Sequence, residues 1–350
     1  MTAKYLLCVL TLALVACGPA KQMPEIKSTQ VERLISSDVV DYFKLPLFGS
    51  KSYKNTRLWS GDYWPNNKGS INLRWNSPNQ EGFDLVSPGL EQLRVMTKEE
   101  IALLSPAEKF DLYLGRYDYP LKSEVASYAL PTALDSEGLC NGWAAATMNH
   151  NEPGAKEMLN PDGITIPFGS SDVKAILSYY YGKVHKEEIT TKLGKTCEPN
   201  SNCESGLDAG AFHVMLANRL GLGETSFFID VERFNEVWNH PVVGYQSTNL
   251  GDEKKFPKDV AKGTARIIKL KTKVTYVDRV RANSNDFILL NKEAQNHSEI
   301  EYRYNVYLNM KDEVIGGKWI STERPEHVWT MKGTKAFKGY FAGMNALLND

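Results

Sequence analysis

From Thr264 to Asp278 apolar and charged side chains alternate, with Ile268, Leu270, Val274 and Tyr276 on one face and Lys269, Lys271 and Lys273 on the other. Ile300 to Leu308 repeats the pattern, setting Ile300, Tyr302, Tyr304, Val306 and Leu308 against Glu301 and Arg303. A period of two with one wet face is the pattern of a half-buried antiparallel strand. Asn309 to Asp312 reads as a turn into a third strand, Val314 to Ile320. The last third of the chain is therefore expected to be a sheet with one covered face, the lysine stripe lying in water and pairing with Glu301 or its neighbours. Ser226 to Val231 reads as a further buried strand that delivers Asp230 at its end.

What covers the sheet is written upstream. Thr97 to Leu104 and Ser105 to Leu114 each open with a capping box, Thr97 with Glu100 and Ser105 with Glu108. Pro106 takes a first helical position, and Gly115 stops the second helix. Helices are predicted from Cys140 to about His150, from Ser171 to Tyr181 before Gly182, and through AGAFHVMLANRLG between a capping Asp208 and Gly221. A weaker helical signal runs from Gln30 to Tyr42, and the aromatic, turn-rich stretch from Leu58 to Trp75 reads as an irregular segment packed on a larger body. Helices followed by antiparallel strands make the fold α+β.

The first residues carry one early Lys4, an apolar run from Tyr5 to Val15, and then Leu14-Val15-Ala16-Cys17. That run is too short to span a bilayer and reads as a signal peptide. The tetrapeptide resembles a bacterial lipobox, which implies cleavage before Cys17, acylation of Cys17 and a lipid-anchored envelope protein, outer membrane rather than inner because Gly18 follows. A plain secretory signal is the alternative. The expected organisation is 1–17 signal and lipidated cysteine, 18–54 tether, 55–130 helical and irregular N-terminal region, 131–335 catalytic domain and 336–350 C-terminal tail. A net charge of −1 argues against nucleic acid as a partner, leaving proteins and peptides, and a monomer is expected.

The five cysteines narrow the chemistry. Cys8 leaves with the signal peptide and Cys17 takes the lipid. Cys197 and Cys203, six apart in TCEPNSNC, are expected to close a local disulfide, since neither has a ligand pair nearby that would suit a metal. Cys140 is left over in Gly138–Met148, GLCNGWAAATM, where Gly138 and Gly142 free the backbone and the alanines start a helix. At a helix N-terminus the free amides and the dipole favour thiolate over thiol, and thiolate is the nucleophile. A buried structural cysteine is the alternative.

A nucleophilic cysteine needs a base and a group to hold it. Of six histidines, His185 and His297 lie among charges and His150 is too far along its own helix. His327 stays open. His213 has an apolar flank and Asp230 follows 17 residues on, whereas His240, after Asn239 at the head of a possible strand, would suit a papain-like arrangement. Spacing alone leaves His213 equally readable as a core histidine.

The segment Val237 to Gln246, VWNHPVVGYQ, resembles the VWNQPVRGF surface peptide of the transglutaminase elicitors of oomycetes. SPAEKFDLYLG, GLCNGWAAA, IPFGSSDVKAILSYYY, DAGAFHVMLANRLG, SFFIDV and VIGGKW resemble that family's blocks in the same order, over about residues 55 to 335. The resemblance implies a γ-glutamyl transferase on a papain-like, transglutaminase-like thiol core, with Cys140 as nucleophile. The important Trp and Pro of the peptide match Trp238 and Pro241. The family has Gln where this chain has His240, which turns the choice of base to His213, and its Arg is Val243 here. Asp230 and Asp208 both match family blocks as the acidic member. Trp143 and Trp238 are candidate substrate-binding residues, Trp143 being equally a core residue. No cofactor is expected; the expected partners are protein or peptide glutamine donors and primary-amine acceptors. A cysteine peptidase or amidase with the same nucleophile and a non-enzymatic envelope lipoprotein are the rival readings.

Overall fold

The computed structural model describes residues 38–50, 58–185, 189–195, 206–231, 237–257, 260–283 and 296–349. The signal peptide, Cys17, Cys197, Cys203 and most of the helix expected over Gln30 to Tyr42 lie outside them. Helices come first, as the capping signals require: α1 (Leu90–Leu93), α2 (Lys98–Ala102), α3 (Pro106–Tyr113), α4 (Pro120–Ala126) and α5 (Cys140–Asn149). Both capping boxes form, Thr97 with Glu100 and Ser105 with Glu108, and Pro106 occupies the first turn of α3. A hairpin of β2 (Lys156–Leu159) and β3 (Thr165–Phe168) leads into α6 (Ser170–Tyr179), which ends in a π-helical turn, Tyr180–Val184.

The rest is mostly sheet. Its strands are β4 (Ile189–Gly194), β5 (Phe228–Asp230), β6 (Asn239–Asp252), β7 (Arg266–Val277), β8 (His297–Leu308), β9 (Val314–Trp319) and β10 (His327–Met331), with α7 (Ala209–Leu216) between β4 and β5. They pair antiparallel in the order β4-β10-β5-β6-β7-β8-β9, and β1 (Phe48–Ser50) adds to β6. The alternation seen in the sequence sets the register: Ile268 lies opposite Val306, Leu270 opposite Tyr304, and Val274 opposite Ile300. On the wet face Lys271 and Lys273 pair with Glu301 and Glu299 at 3.2 and 3.1 Å.

Two cores flank this sheet. Ile229, Val242, Val328, Leu270 and Val274 face a core shared with α7, while their strand neighbours Phe228, Val243, Trp329 and Val277 face a core shared with α3 to α6. The segment from Leu58 to Trp75 and the closing helix α8 (Met344–Leu348) also enter the α3–α6 core, through Trp59, Trp64, Trp75, Met344 and Leu347. Because adjacent strand residues point to opposite sides, α5 and α7 lie on opposite faces of the sheet.

The helical half is pinned by buried charge. Lys109 on α3 pairs with Asp172 on α6 at 2.7 Å, both side chains at most 1% exposed. The other Asp172 oxygen accepts Trp75 Nε1 at 2.8 Å, and the Gly169 amide donates to the oxygen that Lys109 reaches. Removing one member leaves the other charged and dry, which costs about 3–5 kcal/mol. Asp172→Ala is expected to lose that much stability in chemical denaturation. Asp172→Leu combined with Lys109→Met should recover most of it, and full stability in the single variant would mean that water reaches Lys109.

Candidate functional site

Cys140 is the first residue of α5, and what brings it there is close packing of backbone. A Cβ on Gly138 would meet the Tyr63 carbonyl, and one on Gly142 would run into the Ser178 carbonyl of α6. Neither glycine has a positive φ. Both are therefore needed for contact between segments, not for backbone freedom as the sequence reading supposed. The stretch from Trp59 to Tyr63 runs along α5: Leu139 N donates to Tyr63 O at 2.5 Å, Trp143 Nε1 to Trp59 O at 3.3 Å, and Trp59 N to Thr147 Oγ1 at 2.6 Å.

Cys140 is 8% exposed, and its thiol lies 3.5 Å from the Val237 carbonyl. Burial pushes its pKa up, and the nearby Asp230 charge adds to this; the backbone and side chain of Asn239 and the Asn141 amide act in the opposite sense without prevailing. The thiolate expected from the helix terminus alone is thus corrected: desolvation outweighs the terminal amides. A neutral thiol of this kind needs a base at the moment it reacts.

Its surroundings come from the heads of β6 and β5. Asn239 faces Asp230 in register and accepts Trp329 Nε1 at 2.6 Å through Oδ1. His240, the next residue, has Nδ1 3.0 Å from the Val277 carbonyl and 3.8 Å from Asp278 Oδ1. A carbonyl only accepts, so Nδ1 carries the proton of the neutral ring and Nε2 holds the lone pair. The ring stands edge to face with Trp143, one turn along α5 from Cys140, with centroids 6.1 Å apart. Burial lowers the His240 pKa against the opposing pull of Val277 and Asp278, so the ring is neutral at pH 7.

His213 is somewhere else. It sits in α7, fully buried in the other core, with Nδ1 3.1 Å from the Tyr304 hydroxyl and its ring stacked 5.9 Å from that of Tyr42. No hydrogen bond or ring contact joins it to Cys140 or Asp230 among the described residues, so the expected Cys140–His213–Asp230 triad does not assemble. The sheet stands between its helix and α5, a fact that chain spacing does not encode.

Burial holds His213 near pKa 4, well below an unfolded histidine at about 6.5. The stability that this neutral ring contributes is complete above pH 6.5 and is lost as pH falls toward 4. His213→Met should therefore lose less stability than the parent between pH 7 and pH 4.5, by roughly 2 kcal/mol in denaturant titrations. Parallel pH curves would show that the ring is not buried neutral.

Asp230 does stand beside the thiol, but it turns to other partners. Its Oδ1 accepts the Trp238 amide at 3.0 Å, and its Oδ2 lies 3.6 Å from His327 Nδ1. Asp208 is a cap: its oxygens take the Ala211 and Gly317 amides at 2.9 and 3.1 Å. Ligand atoms of Asp230, Glu326 and His327, all buried, lie within 4.8 Å of one another, so three donors that could receive a cation meet where β5 and β10 adjoin, although none was expected. Trp143 is a core residue at 1% exposure. Trp238 is half-buried and packs edge to face on Tyr63 at 5.3 Å. Asn239, Asp278 and the Val277 carbonyl were missed in the sequence. The available signal was a histidine opening one strand and an aspartate just past the end of the next.

A sequence model of the transglutaminase elicitor family matches residues 120–339. Among solved structures, the crystal structure of the GP42 transglutaminase from Phytophthora sojae superposes with a TM-score of 0.64 at 18% sequence identity, covering 89% of this chain and 93% of that one. No curated protein sequence matches the chain. The structural likeness agrees with the α+β, transglutaminase-like fold.

Proposed function

The chain belongs to the transglutaminase elicitor family, and from that premise we propose that it is a thiol acyltransferase acting on glutamine side chains, with Cys140 as nucleophile, His240 as base and Asp278 as the residue that orients His240. The observation that carries this reading is the His240 ring: Nδ1 is committed to Val277 O beside Asp278, and the ring packs on Trp143 next to the strand residue that touches the thiol. Nε2 takes the thiol proton as sulfur attacks the γ-carboxamide carbon. The tetrahedral oxyanion is met by the Cys140 amide at the start of α5. His240 returns the proton to the departing nitrogen, ammonia leaves and a thioester remains. A primary amine then attacks the thioester carbonyl, gives its proton to His240 and forms the isopeptide, and the thiol is regenerated with that proton. Water in place of the amine gives glutamate.

A raised thiol pKa fits this order of events, because neutral thiol and neutral imidazole are the resting pair and the proton moves only on attack. Incubation of the protein with a glutamine peptide and a labelled primary amine tests it, read by mass spectrometry. Amine incorporation with ammonia release supports transfer. Chain cleavage would instead establish a peptidase, and an unmodified peptide over a broad panel would overturn the enzymatic reading in favour of the envelope lipoprotein.

His327 is the rival base, on the strength of its 3.6 Å approach to Asp230. Localisation is part of the same proposal. Leu14-Val15-Ala16-Cys17 supports a lipid anchor at the cell envelope, and among the described residues no helix is long and apolar enough to cross a membrane. Cys17→Ala should release the protein from the membrane fraction; retention there would rule out anchoring at that residue.

A further inference from the structure

Next to the segment whose carbonyl meets the thiol, an arginine is held with no carboxylate at ion-pair distance among the described residues. Tyr63 and Trp238 meet edge to face, and the Arg279 guanidinium lies in their corner, 4.5 Å from the Tyr63 ring and 4.1 Å from that of Trp238. Each wall belongs to the site. Tyr63 holds the Leu139 amide through its carbonyl, Trp238 follows the Val237 whose carbonyl meets the thiol, and Arg279 follows Asp278. The neighbouring carboxylates are engaged elsewhere. Asp278 accepts the Arg279 amide and the Ser298 hydroxyl, and buried Asp62 accepts the Trp64 and Ala282 amides. Among the described residues no acid lies within ion-pair distance of the exposed Arg279 side chain.

A guanidinium braced by aromatic rings has little rotamer freedom left to lose, and its remaining N–H edge matches a carboxylate. We propose that this corner is a carboxylate subsite, through which the protein selects glutamines that have an aspartate or glutamate a residue or two away in an extended donor chain. The glutamine half of this inference rests on the acyl-transfer reading; the carboxylate half does not. An ion pair on a pre-positioned arginine discriminates by about five- to tenfold.

The test is fluorescence anisotropy on the full chain carrying Cys140→Ala, with two labelled glutamine peptides that differ only in Asp or Asn beside the glutamine. The Asp peptide should bind about five- to tenfold more tightly. Arg279→Gln should erase that ratio, Arg279→Lys should keep part of it, and Arg279→Glu should transfer the preference to a Lys-flanked peptide. Equal binding of both peptides by the parent, or a ratio unchanged in Arg279→Gln, overturns the subsite. Preferential binding of the Asp peptide by a wild-type protein that never incorporates amine supports the subsite and overturns only the acyl-transfer reading.

Discussion

Cys140→Ala should abolish both ammonia release and amine incorporation, by at least about 10⁴-fold, because the proposed route carries the acyl chain on that thiol as a thioester. The fold should survive. The side chain lost is small, its hydrogen bond to Val237 is long at 3.5 Å, and α5 is held by Trp143 and Thr147 rather than by the thiol. An unchanged circular dichroism spectrum and denaturation midpoint would document this. Activity that persists in the variant removes Cys140 as nucleophile, since Cys140 is the free cysteine among the described residues.

His240→Ala is expected to lower kcat by roughly 10²–10⁴-fold, the range that a positioned base supplies, whereas His213→Ala should leave kcat near that of the parent and lose stability. The contrast follows from burial on two sides of one sheet. His213 Nδ1 answers to Tyr304 in the α7 core, and His240, on the strand β6 that packs against α5, has Nδ1 answering to Val277 of β7. The pH profile adds a second readout. The lowered His240 pKa puts the acid limb of kcat/KM below pH 6.5, because activity needs the neutral ring and is lost as pH falls through its folded pKa. A collapse of kcat in His327→Ala with His240→Ala still active would transfer the role of base to the Asp230–His327 pair. Loss in His213→Ala with stability intact would restore the triad expected from chain order.

Much of this protein could be read from neighbours a few residues apart. The capping boxes at Thr97 and Ser105 need only a hydroxyl and a glutamate three residues on, and both form. Alternation from Thr264 and from Ile300 needs only a pleat, and it set which side chains of β7 and β8 are buried and which carry the Lys–Glu pairs. The apolar flank of His213 left it readable both as a base and as a core histidine, and the structure buries it. What the flank could not announce was the core in which that imidazole would be buried.

Local pattern alone was enough to give an α+β chain with a cysteine heading a helix, and the ordered blocks were enough to give the family. Which histidine and which acid stand near that cysteine depended on long-range strand pairing. His240 reaches Val277 across 37 positions of chain, through a β6–β7 register that includes bulges, and no local rule fixes such a register. Tertiary packing likewise decided the state of the thiol: a helix terminus favours the anion, but burial among groups from distant parts of the chain, Val237 and Asn239 among them, outweighs it.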